Sequence, residues 1–131
     1  MKYRIAVALL LLGILIISVS CAELNLIQAD LYFDEVDAML SANKELSIYI
    51  EAKNIEPHIG VDYCKLEQRI GNTWVFVKNL PKPTYVVDNT NTYNVTKNYS
   101  GEISNTGTYR IEVRVYAGIH YKTVYSTVGT Y

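Results

Sequence analysis

Two stretches decide the fold: Leu46-Ser47-Ile48-Tyr49-Ile50-Glu51-Ala52 and Tyr109-Arg110-Ile111-Glu112-Val113-Arg114-Val115-Tyr116. In each, an apolar residue returns at every second position, which is the period of a β-strand, where successive side chains leave opposite faces. Leu46, Ile48, Ile50 and Ala52 form one apolar row, with Ser47, Tyr49 and Glu51 on the wet side. Tyr109, Ile111, Val113 and Val115 repeat the arrangement against Arg110, Glu112, Arg114 and Tyr116.

Working outward, residues 61–70 and 74–78 flank Gly71-Asn72-Thr73, which predicts a hairpin with Gly71-Asn72 supplying positive φ at the turn. Pro81 and Pro83 then end the pairing, since neither has an N–H for a ladder. Residues 79–98 are rich in Asn, Thr and Pro, with a short strand expected over 93–99. A turn at Ala117-Gly118 opens a last strand over 120–128. Residues 36–42 supply the first strand, although 34–40 also suits a short helix. That makes about seven short strands with turn signals every roughly 8 to 12 residues, the pattern of an all-β, antiparallel sandwich over 36–131. A parallel sheet would need crossover helices, and the chain has no room for them.

The N-terminus reads differently. Lys2 and Arg4 precede an unbroken apolar run, Ile5 to Ile17, and the small residues Ser18, Ser20, Cys21 and Ala22 follow, so residues 1–22 read as an export signal and 23–35 as a linker. The run rises roughly 20 Å as a helix, short of the roughly 30 Å hydrocarbon core, which disfavours a permanent span. Two processing routes are open. Ser20 and Ala22 suit ordinary cleavage before Glu23, with Ala29 a later option before Asp30, whereas Ser18-Val19-Ser20-Cys21 is similar to a bacterial lipobox that would make Cys21 the lipidated first residue. In that lipobox Ser18 stands where Leu is usual. Either route leaves Cys64 without a partner in the mature domain, so no disulfide framework is implied, and Cys64 reads as a small buried hydrophobe.

Composition narrows the function. The chain of 131 residues has room for one domain, and its net charge of −1, without a run of Lys and Arg, gives no positive field for a phosphate backbone. Nucleic-acid binding is therefore not expected. Twelve Tyr against two Phe fits half-wet strands, where a ring packs inward while its hydroxyl reaches water.

Asn105-Thr106-Gly107-Thr108-Tyr109-Arg110-Ile111 resembles the corner of immunoglobulin-like and fibronectin-like domains, whose pattern runs acid, any, Gly, any, Tyr, any, core residue. The resemblance implies that the Tyr109 hydroxyl bonds backbone at that corner and that Ile111 holds a core position often taken by Cys. Asn105 stands in place of the acid, and Ile111 removes the inter-sheet disulfide. More broadly the chain resembles small exported proteins of unknown function from Gram-positive bacteria, through the strand from Leu46, Lys65-Leu66-Glu67-Gln68 leading to Trp74, and Gly107-Thr108-Tyr109-Arg110. That likeness brings no known activity.

Chemistry-bearing motifs are missing. His58 and His120 are too few and too far apart in sequence for a zinc site, and no phosphate loop, nucleophile elbow or His-Glu-x-x-His motif occurs. Asp30, Asp34, Glu35 and Asp37 cluster at a spacing that matches no EF-hand loop and read as a solvated acidic stretch. Asn94-Val95-Thr96 and Asn98-Tyr99-Ser100 match the glycosylation acceptor pattern, a coincidence of composition if the source is bacterial. The best candidate contact surface is the outward row with Arg110, Arg114 and Tyr116, because Arg and Tyr bring large area and directed bonds; Trp74 and Tyr109 are expected to be structural. The same alternation of charge also serves cross-strand pairing.

The expectation is a non-enzymatic binding or adhesion module of the cell envelope, secreted or anchored outside the membrane, without a cofactor or metal. Its partner would be a protein or wall ligand, with the membrane touched only through the signal or a lipid on Cys21. The alternative is an accessory lipoprotein supporting an envelope complex.

Overall fold

The computed structural model describes residues 31–131, so the segment read as an export signal and Cys21 lie outside the described residues. Strands hold 71% of that part, and the core is accordingly built from strand faces. In chain order they are β1 (Phe33–Leu40), β2 (Glu45–Ile70), β3 (Thr73–Leu80), β4 (Val87–Asn98), β5 (Thr108–Ala117), β6 (His120–Tyr125) and β7 (Gly129–Thr130). Every pairing between them is antiparallel.

Seven strands are present among the described residues, but they are not all short. The two apolar rows at 46–52 and 61–66 belong to one strand, β2, of 26 residues. Residues 53–58 between them show no alternation, yet they stay extended because β4 pairs across them, with Glu51 opposite Thr92, Glu56 opposite Thr90 and His58 opposite Asp88. Five steps along β2 match only two along β4. That excess is a bulge, and a bulge bends the strand that carries it. Pro57, which has no N–H to contribute, falls inside this irregular stretch.

Both edges of β2 are used along its length. β1 pairs with its first half, from Phe33 opposite Ala52 to Leu40 opposite Leu46, and β5 with its second, from Ile59 opposite Ala117 to Gln68 opposite Tyr109. Ile59 is flanked by Val87 of β4 and Ala117 of β5. β3 closes the second half from Cys64 opposite Leu80 to Ile70 opposite Thr73, while β6 and β7 extend β5.

The far ends of β2 come back together. Thr127 N–H donates to the Ala38 carbonyl at 3.1 Å, Leu40 N–H to Thr127 Oγ1 at 2.9 Å, and Tyr131 Oη to the Ser41 carbonyl at 2.7 Å. The inner rows of both halves, Leu46, Ile48, Ile50 and Ala52 with Ile59, Val61, Cys64 and Leu66, join Ile111, Val113, Val115 and Ala117 in one buried cluster. Each aliphatic side chain fully buried there is worth about 1.5–3 kcal/mol.

The element ends differ from expectation in instructive ways. The first segment is a strand, not a helix, and it starts at Phe33, inside the stretch 23–35 read as linker, with Phe33 in the core. β4 begins at Val87 because pairing with β2 orders an Asn- and Thr-rich segment that has no apolar row of its own. The segment read as one strand over 120–128 is divided, since β6 ends at Tyr125 and Ser126 turns in to accept from Ile111 N–H at 2.9 Å. At the hairpin only Gly71 of the turn pair has positive φ, 61°.

Candidate functional site

The outward row of β5 lies between β2 and β6, and the registers set its neighbours: Glu67 opposite Arg110, Lys65 opposite Glu112, Tyr63 opposite Arg114, and Tyr121 opposite Tyr116. Arg110 Nε donates to Glu67 Oε2 at 2.5 Å, and its guanidinium lies 4.5 Å from the Trp74 ring centre and 3.9 Å from that of Tyr125. A planar cation close to two rings, with a carboxylate bonded at Nε, is held by cation–π attraction and a charge-assisted hydrogen bond together. Arg114 lies 4.4 Å from the Tyr121 ring centre and 3.7 Å from Asp62. Tyr116 packs over Gly60, where a Cβ would come within 2.8 Å of its hydroxyl. Arg110, Arg114 and Tyr116 thus share one face, joined by Trp74, Tyr121 and Tyr125, which register alone would have revealed had the strand pairing been known.

Glu112 holds the middle of this face. It accepts from Tyr63 Oη at 2.7 Å, Tyr125 Oη at 3.2 Å and Lys65 Nζ at 3.4 Å, and the Tyr63 bond leads in holding its carboxyl below the ordinary value of 4.5. A depressed folded value stabilises the fold above the unfolded one and loses that contribution as pH falls through it. Glu112→Gln is therefore expected to unfold more easily than the parent at pH 7, with the gap closing as the pH of the melts is lowered below 4.5.

Beside this face β3 is an edge strand, bonded to β2 alone among the described strands. Val75, Phe76 and Val77 are exposed on it, with Phe76 at 54%. Trp74 is half-buried against Arg110. A run of apolar residues on an open edge is what native sheets usually avoid, because unpaired N–H and C=O groups template another strand.

Other expected features separate. Tyr109 Oη donates to the Thr106 carbonyl at 3.0 Å. Asn105, at the position of the pattern's acid, accepts from the buried Lys44 Nζ at 2.5 Å, and Lys44 also bonds the Ile103 carbonyl at 3.1 Å. His58 pairs with Asp88 at 2.6 Å, whereas His120 stacks on Tyr32 at 3.3 Å, so the two imidazoles have separate partners. Among the described residues no three of His, Cys, Asp and Glu gather as metal ligands. Glu35 is raised by its hydrogen bond with Asp37, as expected of crowded carboxylates. Asn94 lies opposite Tyr49 in the β4–β2 ladder.

Cys64 is buried, and burial pushes its thiol up to about 11. Only the thiolate is a nucleophile. We expect no reaction of Cys64 with a disulfide reagent at pH 8 in the folded state, and full reaction in denaturant. A shallow groove of about 200 Å³ lined by Pro83, Thr84, Tyr85, Val95, Thr96 and Lys97 offers no carboxylate, imidazole or thiol.

Compared with protein-family models, with characterised proteins and with solved structures, the chain has no match. A functional reading therefore rests on its own residues.

Proposed function

We propose that this chain is an exported, non-enzymatic binding or adhesion module of the cell envelope, an immunoglobulin-like sandwich whose layers are the two halves of β2 with their neighbours. It acts by contact, through the outer face of β5 and the adjoining open edge of β3. The carrying observation is the exposed run Val75-Phe76-Val77 on that edge, next to the fixed Trp74, Arg110 and Tyr125. An extended partner segment adding to such an edge takes affinity from main-chain bonds and specificity from side chains on the neighbouring face. Rings and guanidinium already held in place lose little freedom on binding. The reading is also supported by the Tyr109 corner bond and by the single core that both halves of β2 share.

The second reading, an accessory lipoprotein of an envelope complex, is favoured by Ser18-Val19-Ser20-Cys21. Intact mass of natively expressed protein separates the two. A lipid-sized addition at Cys21, lost in Cys21→Ala, gives the lipoprotein; an unmodified chain starting at Glu23 or Asp30 gives the secreted module; a cytoplasmic chain that keeps residues 1–22 contradicts both. A photo-crosslinking residue at position 76 is expected to capture a defined surface partner, while one at Tyr49 on the first half of β2 does not. Equal capture from both positions would contradict the assignment of the face.

A further inference from the structure

We propose that the bend of β2 and the β5–β6 turn form a membrane-docking tip, with Ile119 and Ile55 entering the interface of a phospholipid bilayer. The inference rests on the second of the readings above, a chain anchored at Cys21, and adds a lipid contact made by the folded domain itself. Ile119 and Ile55 are the two most exposed large apolar side chains among the described residues, at 84% and 73%. They are brought to one place. Gly118 N–H donates to the His58 carbonyl at 2.8 Å, and a Cβ on Gly118 would meet Glu56 and Pro57, so the turn bearing Ile119 rests on the residues that directly follow Ile55. Gly118, with φ of 59°, allows the reversal that projects Ile119 outward.

The same tip receives the chain. The Tyr32 ring stacks on His120, the neighbour of Ile119, and β1 starts at Phe33 opposite Ala52, three residues before Ile55. The apolar run Ile5 to Ile17 and Cys21 precede this point. From Cys21 to Tyr32 the chain spans at most roughly 40 Å at 3.3–3.6 Å per residue, so an anchor at Cys21 holds the tip near the bilayer. Two isoleucines bind a bilayer weakly on their own; a short tether raises their local concentration enough for a weak contact to orient the domain. Orientation is its consequence. From Ile59 to Ile70, β2 runs roughly 36 Å away from the tip at 3.3 Å per residue, which carries the β2–β3 hairpin and its open edge outward.

Trp74 is the sole tryptophan and sits on that hairpin, which makes it an internal control. The full chain and its Ile119→Trp variant are reconstituted into phosphatidylethanolamine–phosphatidylglycerol vesicles containing phosphatidylcholine brominated on its acyl chains. The expected result is at least a twofold loss of the added indole emission relative to unbrominated vesicles, with Trp74 of the parent unchanged. Three results overturn the proposal: an unquenched Ile119→Trp in protein that pellets with the vesicles, which leaves anchoring intact; equal quenching of Trp74, which lays the domain on its side; or protein absent from the pellet, which removes anchoring as well. A second copy or a protein partner covering Ile119 belongs to the first of these.

Discussion

Ile48→Ala and Leu66→Ala are each expected to lower the free energy of unfolding by about 2–5 kcal/mol, the range for truncating a buried aliphatic side chain. Ile48 lies in the first half of β2 and Leu66 in the second, and both are buried in the same cluster. Chemical denaturation checks this with two probes, far-ultraviolet circular dichroism for the whole sheet and Trp74 fluorescence for the β2–β3 hairpin. Because the halves share one core, Ile48→Ala must shift the transition that Trp74 reports by as much as the one the backbone reports. A Trp74 transition left in place by Ile48→Ala would mean that the halves fold separately.

The second large effect is at a backbone position. Gly107 has φ of 125°, and a Cβ there would lie 2.9 Å from both Gln68 Nε2 and the Tyr109 ring. Gly107 also exchanges two backbone bonds with Tyr131, each of 2.9 Å, so it cannot shift without loosening the C-terminal strand. Gly107→Ala is expected to cost about 1–3 kcal/mol from the backbone region alone, with the steric displacement of Tyr109 added to that. Gly101→Ala is the control, since a Cβ there meets nothing within 4 Å and the residue is not at positive φ. Its melting curve should stay within about 0.5 kcal/mol of the parent.

What could be read from the sequence follows from which forces act locally. Leu46 to Ala52 and Tyr109 to Val115 carry full apolar rows because one face of each meets the core, so alternation alone revealed them. Gly71 marked its turn because φ of 61° excludes most other residues. The continuity of β2 through residues 53–58 was not legible, since that stretch is held by pairing with β4 and a bulge rather than by burial, and Pro57 argues locally for a break. Lys44 was missed for a related reason: a buried Lys with positive φ is held by the Ile103 carbonyl and Asn105, partners about sixty residues distant.

The proposed contact face was half legible. Arg110, Arg114 and Tyr116 were picked out by their alternation on β5, whereas Glu67, Trp74, Tyr121 and Tyr125 join them only through cross-strand register, which a single sequence does not carry. The exposed run on β3 is plain in the sequence as Trp74-Val75-Phe76-Val77, but whether it faces a core or water depends on β3 being an edge. The same holds for Ile55 and Ile119. Their apolar character is visible, whereas their meeting at one tip depends on the Gly118 N–H bond to the His58 carbonyl, which seats the β5–β6 turn on β2.

Everything proposed for the two poles of this domain depends on β2 being one strand bent between its neighbours. Backbone nuclear Overhauser effects with amide hydrogen exchange test that directly. The structure predicts contacts from Ile59 to both Val87 and Ala117, together with slowed exchange at Ile59 and Val61 beyond the bend. Contact to only one of those neighbours, with loop-like exchange running from Lys53 through Val61, would contradict it and separate the tip from the hairpin.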